Sequence, residues 1–146
     1  MKYFFIAILA TFLGLQESFA QEWKTDFSAA QKQAMAENKT IILVFQGSDW
    51  CAPCIKLEKE VWSTDTFKTY AKDHFIMVKA DFPKRKKNAL SDEQQEANNK
   101  LAEKYNNKGY FPYVVVLDKN AKVLGNTGYL KKSPSEYIEV LNAMIK

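Results

Sequence analysis

Thr40-Ile41-Ile42-Leu43-Val44-Phe45, a five-residue link, and then Cys51-Ala52-Pro53-Cys54 is the stretch that decides the reading of this chain. The first part is a continuous apolar run, as a strand buried on both faces requires. The second opens a helical pattern that continues to about Val61. The chain holds two cysteines, and both lie here. Two thiols three positions apart can close a disulfide with each other. They cannot make a structural framework, which needs pairs distant in sequence. Nor can they cage a metal alone: a closed zinc site takes four ligands, and the one histidine is His74. No metal or cofactor is therefore expected. A C-x-x-C pair between an apolar run and a helix reads as a redox dithiol.

The placement implies chemistry. A thiolate, not a thiol, attacks a disulfide. Cys51 stands where a helix begins, and free N–H groups and the helix dipole there favour negative charge. Cys54 lies one turn deeper, on the stripe shared with Leu57 and Val61, and is expected to be the more buried. Cys51 would attack a substrate, and Cys54 would then attack the Cys51 sulfur and release reduced product. Pro53 falls in the first turn, where a missing N–H costs little, and stiffens the pair. Ala52-Pro53 places no cation between the cysteines, so the reduced form gains no extra stabilisation and a reductase is favoured.

At the N-terminus, Lys2 precedes a mostly apolar run from Phe4 to Leu15, and Ser18-Phe19-Ala20 supplies small residues at −3 and −1. This is the layout of a signal peptide over residues 1–20. The run is short for a membrane span, which needs roughly 20 apolar residues, so no stable membrane insertion is expected after cleavage. The exported compartment, periplasmic or secreted, is oxidising. Residues 21–146 suit one domain. Net charge is +4, and part of the excess is local, in Lys84-Arg85-Lys86-Lys87. No aromatic residues interleave that run as an RNA-binding surface would require; it reads as a solvated loop, with no nucleic-acid partner.

The rest alternates strand and helix signals. Glu22–Phe27 is a short strand candidate. Ser28, with Gln31 three residues on, caps a helix running to about Asn38. Asp65–Asp73 is helical after a break at Ser63-Thr64, and Phe75–Asp81 is a strand. Ser91 opens a long polar helix ending near Tyr105. Tyr113–Leu117 is a β-branched strand. Asp118-Lys119-Asn120 turns, with Asn120 tolerant of a left-handed conformation, into a return strand Ala121–Leu124. Ser133–Ile145 forms a closing helix, with Pro134 in its first turn.

That order, with the cysteine motif and Phe111-Pro112 just before the Tyr113 strand, resembles the thioredoxin superfamily over about Glu22 to Lys146. Ser48-Asp49-Trp50-Cys51 with Cys54 and Glu58 is most similar to exported thioredoxin-like proteins, among them the C-terminal domain of the thiol:disulfide interchange reductase. The resemblance implies an α/β thioredoxin fold, a central mixed β-sheet flanked by helices on both faces. It implies that Pro112 is a cis-proline facing the dithiol and that Gly128 lines the same surface. It also implies an oxidoreductase that reduces disulfides of exported proteins and is re-reduced by a membrane or exported thiol donor.

One departure from the family stands out. Thioredoxins carry a buried aspartate six residues before the first cysteine; that position here is Phe45. Glu58 can substitute, since it lies four residues after Cys54 on the cysteines' side of the helix, or it is a surface charge like Glu60. Asp49 is expected to be exposed, its charge disfavouring the Cys51 thiolate slightly. His74, at a helix end, reads as a surface or capping group. If Phe111-Pro112 is cis, the Phe111 backbone would be free to pair with an extended substrate, as in strand addition. Trp50, Phe111 and Tyr110 would form an apolar rim beside an exposed outer thiol. Two other roles stay open: a disulfide oxidase or isomerase, and a non-enzymatic module binding copper(I) or a partner.

Overall fold

The computed structural model describes residues 20–146; the expected signal segment, apart from its last residue, lies outside them. Five strands order as β1-β3-β2-β4-β5: β1 (Trp23–Lys24), β2 (Thr40–Gln46), β3 (Phe75–Asp81), β4 (Tyr113–Leu117) and β5 (Val123–Thr127). β1 and β2 run parallel to β3, and β4 runs antiparallel to both β2 and β5. β2 is therefore central and paired on both sides. Its side chains split by alternation. Ile42 and Val44 face one core with Leu57, Trp62, Phe67 and Tyr137. Ile41, Leu43 and Phe45 face a second core with Ala30, Ala34 and Val78. Two buried faces explain why the run is apolar without interruption.

The helices are α1 (Phe27–Glu37), α2 (Ala52–Leu57), α3 (Asp65–His74), α4 (Asp92–Tyr105) and α5 (Pro134–Ala143). α2, α3 and α5 contribute to the first core, and α1 and α4 to the second. The α/β thioredoxin fold expected from the sequence is present. α5 carries a full capping box between Ser133 and Glu136, with Pro134 in the first turn, satisfying N–H groups that a helix start leaves orphaned.

Several local expectations are corrected. Asp26, not Ser28, caps α1, its carboxylate accepting from the Ala29 N–H. The helix starts earlier, with the Phe27 ring packed at a tilt against Tyr105 of α4, at 5.9 Å between ring centroids. The helix that begins at the cysteines does not stay α-helical: α2 passes into a π-turn over Glu58–Trp62. The Ser63 N–H and hydroxyl both donate to the Glu58 carbonyl. This is the i to i+5 bond of a π-turn, and Leu57, Val61 and Trp62 around it are all buried in the first core. The left-handed residue after β4 is Ala121, φ 65°, not Asn120. Asp118 Oδ1 accepts from both the Asn120 and Lys122 N–H groups, and that turn also delays β5 to Val123.

Candidate active site

The cysteines stand at the carboxyl end of the central strand. After Gln46 the chain folds back on itself: the Trp50 and Cys51 N–H groups both donate to the Gly47 carbonyl, the second at 2.9 Å. Asp81, at the same end of β3, holds this loop by accepting from the Ser48 N–H (2.9 Å) and hydroxyl (2.6 Å). Cys51 is the N-cap of α2, and its Sγ accepts from the Cys54 N–H at 3.4 Å. The two sulfurs are joined in a disulfide. Pro53 is at the second helical position and exposed, as its missing N–H allows.

The expected contrast in exposure between the two cysteines is absent. Cys51 is 4% and Cys54 3% exposed. The hydrogen bond from Cys51 N–H to Gly47 curls the outer cysteine inward, and the S–S bond ties it to the inner one. The asymmetry lies in what each residue meets. Cys51 caps the helix beside the exposed Trp50. Cys54 lines a cavity of about 420 Å³ with Gln46, Glu58 and Lys79.

Glu58 is half-buried on the first residue of the π-turn, its N–H bonded to the Cys54 carbonyl. One carboxylate oxygen, Oε2, is buried with no hydrogen-bond partner among the described residues. This sets it apart from Glu60, which is exposed and accepts from the Tyr129 hydroxyl. Phe45 is fully buried against Tyr113 in the second core, so no acid stands at that position. His74 is an exposed helix-end residue, stacked on Tyr70 at 3.9 Å with Nδ1 2.8 Å from the Tyr70 carbonyl oxygen. It takes no part in the site.

The aromatic rim assembles on the other side. The Trp50 ring meets Phe111 edge-on at 5.5 Å, and Phe111 meets Phe82 in the same way at 5.5 Å. Trp50 Nε1 donates to the Phe82 carbonyl at 2.8 Å. Tyr110 is 55% exposed and packs on Tyr113. The Phe111–Pro112 peptide bond is cis, and neither the N–H nor the C=O of Phe111 has a hydrogen-bond partner among the described residues. Gly128 backs onto this turn: a Cβ there would lie 3.3 Å from the Pro112 carbonyl oxygen. The buried Tyr137 hydroxyl holds the Gly128 carbonyl at 2.8 Å.

Asp49 does something other than expected. Its carboxylate accepts from the Lys84 N–H, the Arg85 N–H and the Asn88 side chain, each at 3.0 Å. The Lys84 amide, then the Asn88 amide, pull its pKa down to about 2. It organises the basic loop instead of standing free beside Cys51.

Sequence reasoning passed over Gly47, Asp81 and Lys79. A Cβ on Gly47 would overlap the Trp50 indole, a close approach that a lone glycine after a strand can signal. Lys79 is a single charge inside the otherwise apolar body of β3, and that isolation was its signal.

A family model described as a thioredoxin-like domain matches residues 27–145. A Chlamydia pneumoniae protein described as disulfide bond reductase DsbH is 32% identical over 125 residues, covering 86% of this chain and 73% of that protein. A solved structure of DsbH oxidoreductase matches with a TM-score of 0.80 at 29% identity, over 87% of this chain and 85% of that one. The oxidised C-terminal domain of Neisseria meningitidis DsbD matches at 0.52 and 15% identity, over 80% and 90% of the two chains, a likeness of fold alone.

Proposed function

The chain belongs to the thioredoxin-like family, and from that premise we propose that it is an exported disulfide reductase working by dithiol exchange. The carrying observation is the Cys51–Cys54 disulfide at the first turn of α2, on a chain similar over most of its length to a disulfide bond reductase. In the reduced protein the Cys51 thiolate attacks one sulfur of a substrate disulfide. A mixed disulfide forms and the other substrate sulfur leaves as thiolate. The Cys54 thiolate then attacks Cys51 Sγ, closing the bond seen here and freeing the second substrate thiol. The substrate gains two electrons and two protons.

Glu58 accepts the Cys54 proton in this scheme. Its buried, unpartnered oxygen, on a side chain that lines a cavity together with Cys54, supports that role over a surface one. The unpaired Phe111 backbone pairs with an extended substrate segment beside the disulfide, with Trp50, Pro112 and Gly128 framing the contact. A membrane or exported thiol donor restores the dithiol. Export rests on the Lys2, Phe4–Leu15 and Ser18-Phe19-Ala20 pattern. No helix of the described residues is long and apolar enough to cross a membrane.

The deciding measurement is the reduction potential, paired with insulin reduction. A value near −270 mV with turnover fits a reductase, whereas about −120 to −180 mV fits an oxidase or isomerase. Stoichiometric copper(I) binding without insulin reduction would replace the reading with a binding module.

A further inference from the structure

The Lys84-Arg85-Lys86-Lys87 segment is not used by the exchange chemistry, yet the structure fastens it to the exchange site. Five contacts do so. Asp49, two residues before Cys51, takes the N–H groups of Lys84 and Arg85. The Trp50 Nε1–H donates to the Phe82 carbonyl at the base of the loop. Lys84 Nζ sits 3.9 Å over the Trp50 ring. Asn88 closes the far end onto the same Asp49 carboxylate. All four cationic residues are exposed, and none is in a salt bridge among the described residues. A solvated loop of four like charges would repel itself and wander; this one is pinned to Asp49, two residues before Cys51.

We propose that this segment is a specificity surface for acidic residues flanking the disulfide of a protein substrate. The inference rests on the exchange reading above. A polypeptide is favoured over a nucleic acid because the Trp50 face is occupied by Lys84 and edge-packed on Phe111, so it is not offered to a base for stacking. It is favoured over a lipid surface because Lys84 sits over the Trp50 ring, and that ring packs on Phe111, the residue with which a substrate strand would pair. Complementary charge at such a rim acts mainly on encounter and register, and it weakens with salt.

The test uses three cystine peptides of one sequence, with flanks of glutamate, glutamine or lysine. The expected order of kcat/KM is glutamate, glutamine, lysine. The glutamate peptide should be favoured over the glutamine peptide by roughly five- to tenfold at low ionic strength, collapsing at high salt. Reversing the four charges (K84E, R85E, K86E, K87E) should invert the order. Asp49→Ala separates placement from bulk charge. It keeps all four cations and makes the protein more positive, so simple attraction would raise the glutamate preference, whereas loss of the anchored loop should lower it. A preference unchanged by the charge reversal, or raised by Asp49→Ala, overturns the proposal. So does a charge reversal that abolishes binding to phosphatidylglycerol-containing vesicles while peptide preference is kept. Failure to reduce any of the three peptides overturns the exchange reading, and this inference with it.

Discussion

Replacing Glu58 by methionine should make the oxidised protein more stable and the catalyst slower. Oε2 is a buried acceptor without a partner among the described residues, and such an orphan costs about 1–3 kcal/mol. The residue as a whole is half-buried, so its other oxygen can meet solvent and the gain belongs at the low end, about 1 kcal/mol. For a domain of this size that raises Tm by about 3–5 °C. Methionine is flexible enough to fill the vacated space. Glu58→Gln is the companion variant: it keeps a polar group of the same shape and should leave stability within about 0.5 kcal/mol. Neither variant can take a proton from Cys54, and general-base loss slows a step by about 10²-fold or more. Stability is read by denaturant unfolding of the oxidised proteins. The rate is read by rapid mixing of reduced protein with a cystine substrate, following decay of the mixed disulfide. A methionine variant less stable than wild type would show that the oxygen is satisfied in solution. Wild-type decay in both variants would remove Glu58 from the mechanism.

Four further outcomes are expected. Trp62→Ala should cost about 3–5 kcal/mol, because that ring is 1% exposed and packs on Phe67 at 4.7 Å and Tyr137 at 5.3 Å; the shift in denaturation midpoint measures it. Gly47→Ala should displace the Trp50 indole, changing its fluorescence and lowering protein-substrate turnover while the fold, read by circular dichroism, is kept. In the reduced protein, iodoacetamide should label Cys51 before Cys54; protection of both in native buffer would contradict attack by Cys51. The Asp49 carboxylate has its pKa depressed from 3.8 to about 2. Its hold on the basic loop is therefore complete above 3.8 and is lost as pH falls through about 2. The amide resonances of Lys84 and Arg85 should titrate with that low midpoint, and a midpoint near 3.8 would mean that the carboxylate is free.

Much of this molecule is local in origin. Both buried strands, β2 and β3, have runs of apolar residues that announce two covered faces, and Ser91 and Ser133 announce the helices that follow them. The errors fall where two local solutions compete. Asp26 and Ser28 are both competent caps, and the contact of Phe27 with Tyr105, from a helix far along the chain, selects the first. The π-turn at Glu58 falls where Leu57, Val61 and Trp62 all enter one core, a crowding that only the packed structure reveals.

The cysteine pair, its position at a helix start and the proline before β4 are properties of short segments, and the redox chemistry was readable from them because spacing along one chain controls which thiols can meet. What stands around the pair came from strands that are distant in sequence and adjacent in space. β2 and β3 run parallel, so Asp81 and the loop after it arrive beside Ser48, Asp49 and Trp50, and Lys79 comes to line one cavity with Glu58. No local pattern encodes that Asp49 would bind backbone some thirty-five residues away, or that the outer cysteine would turn inward under Gly47. Those outcomes depend on which polar groups the packed sheet leaves within hydrogen-bond reach of one another, and that is decided when the chain closes.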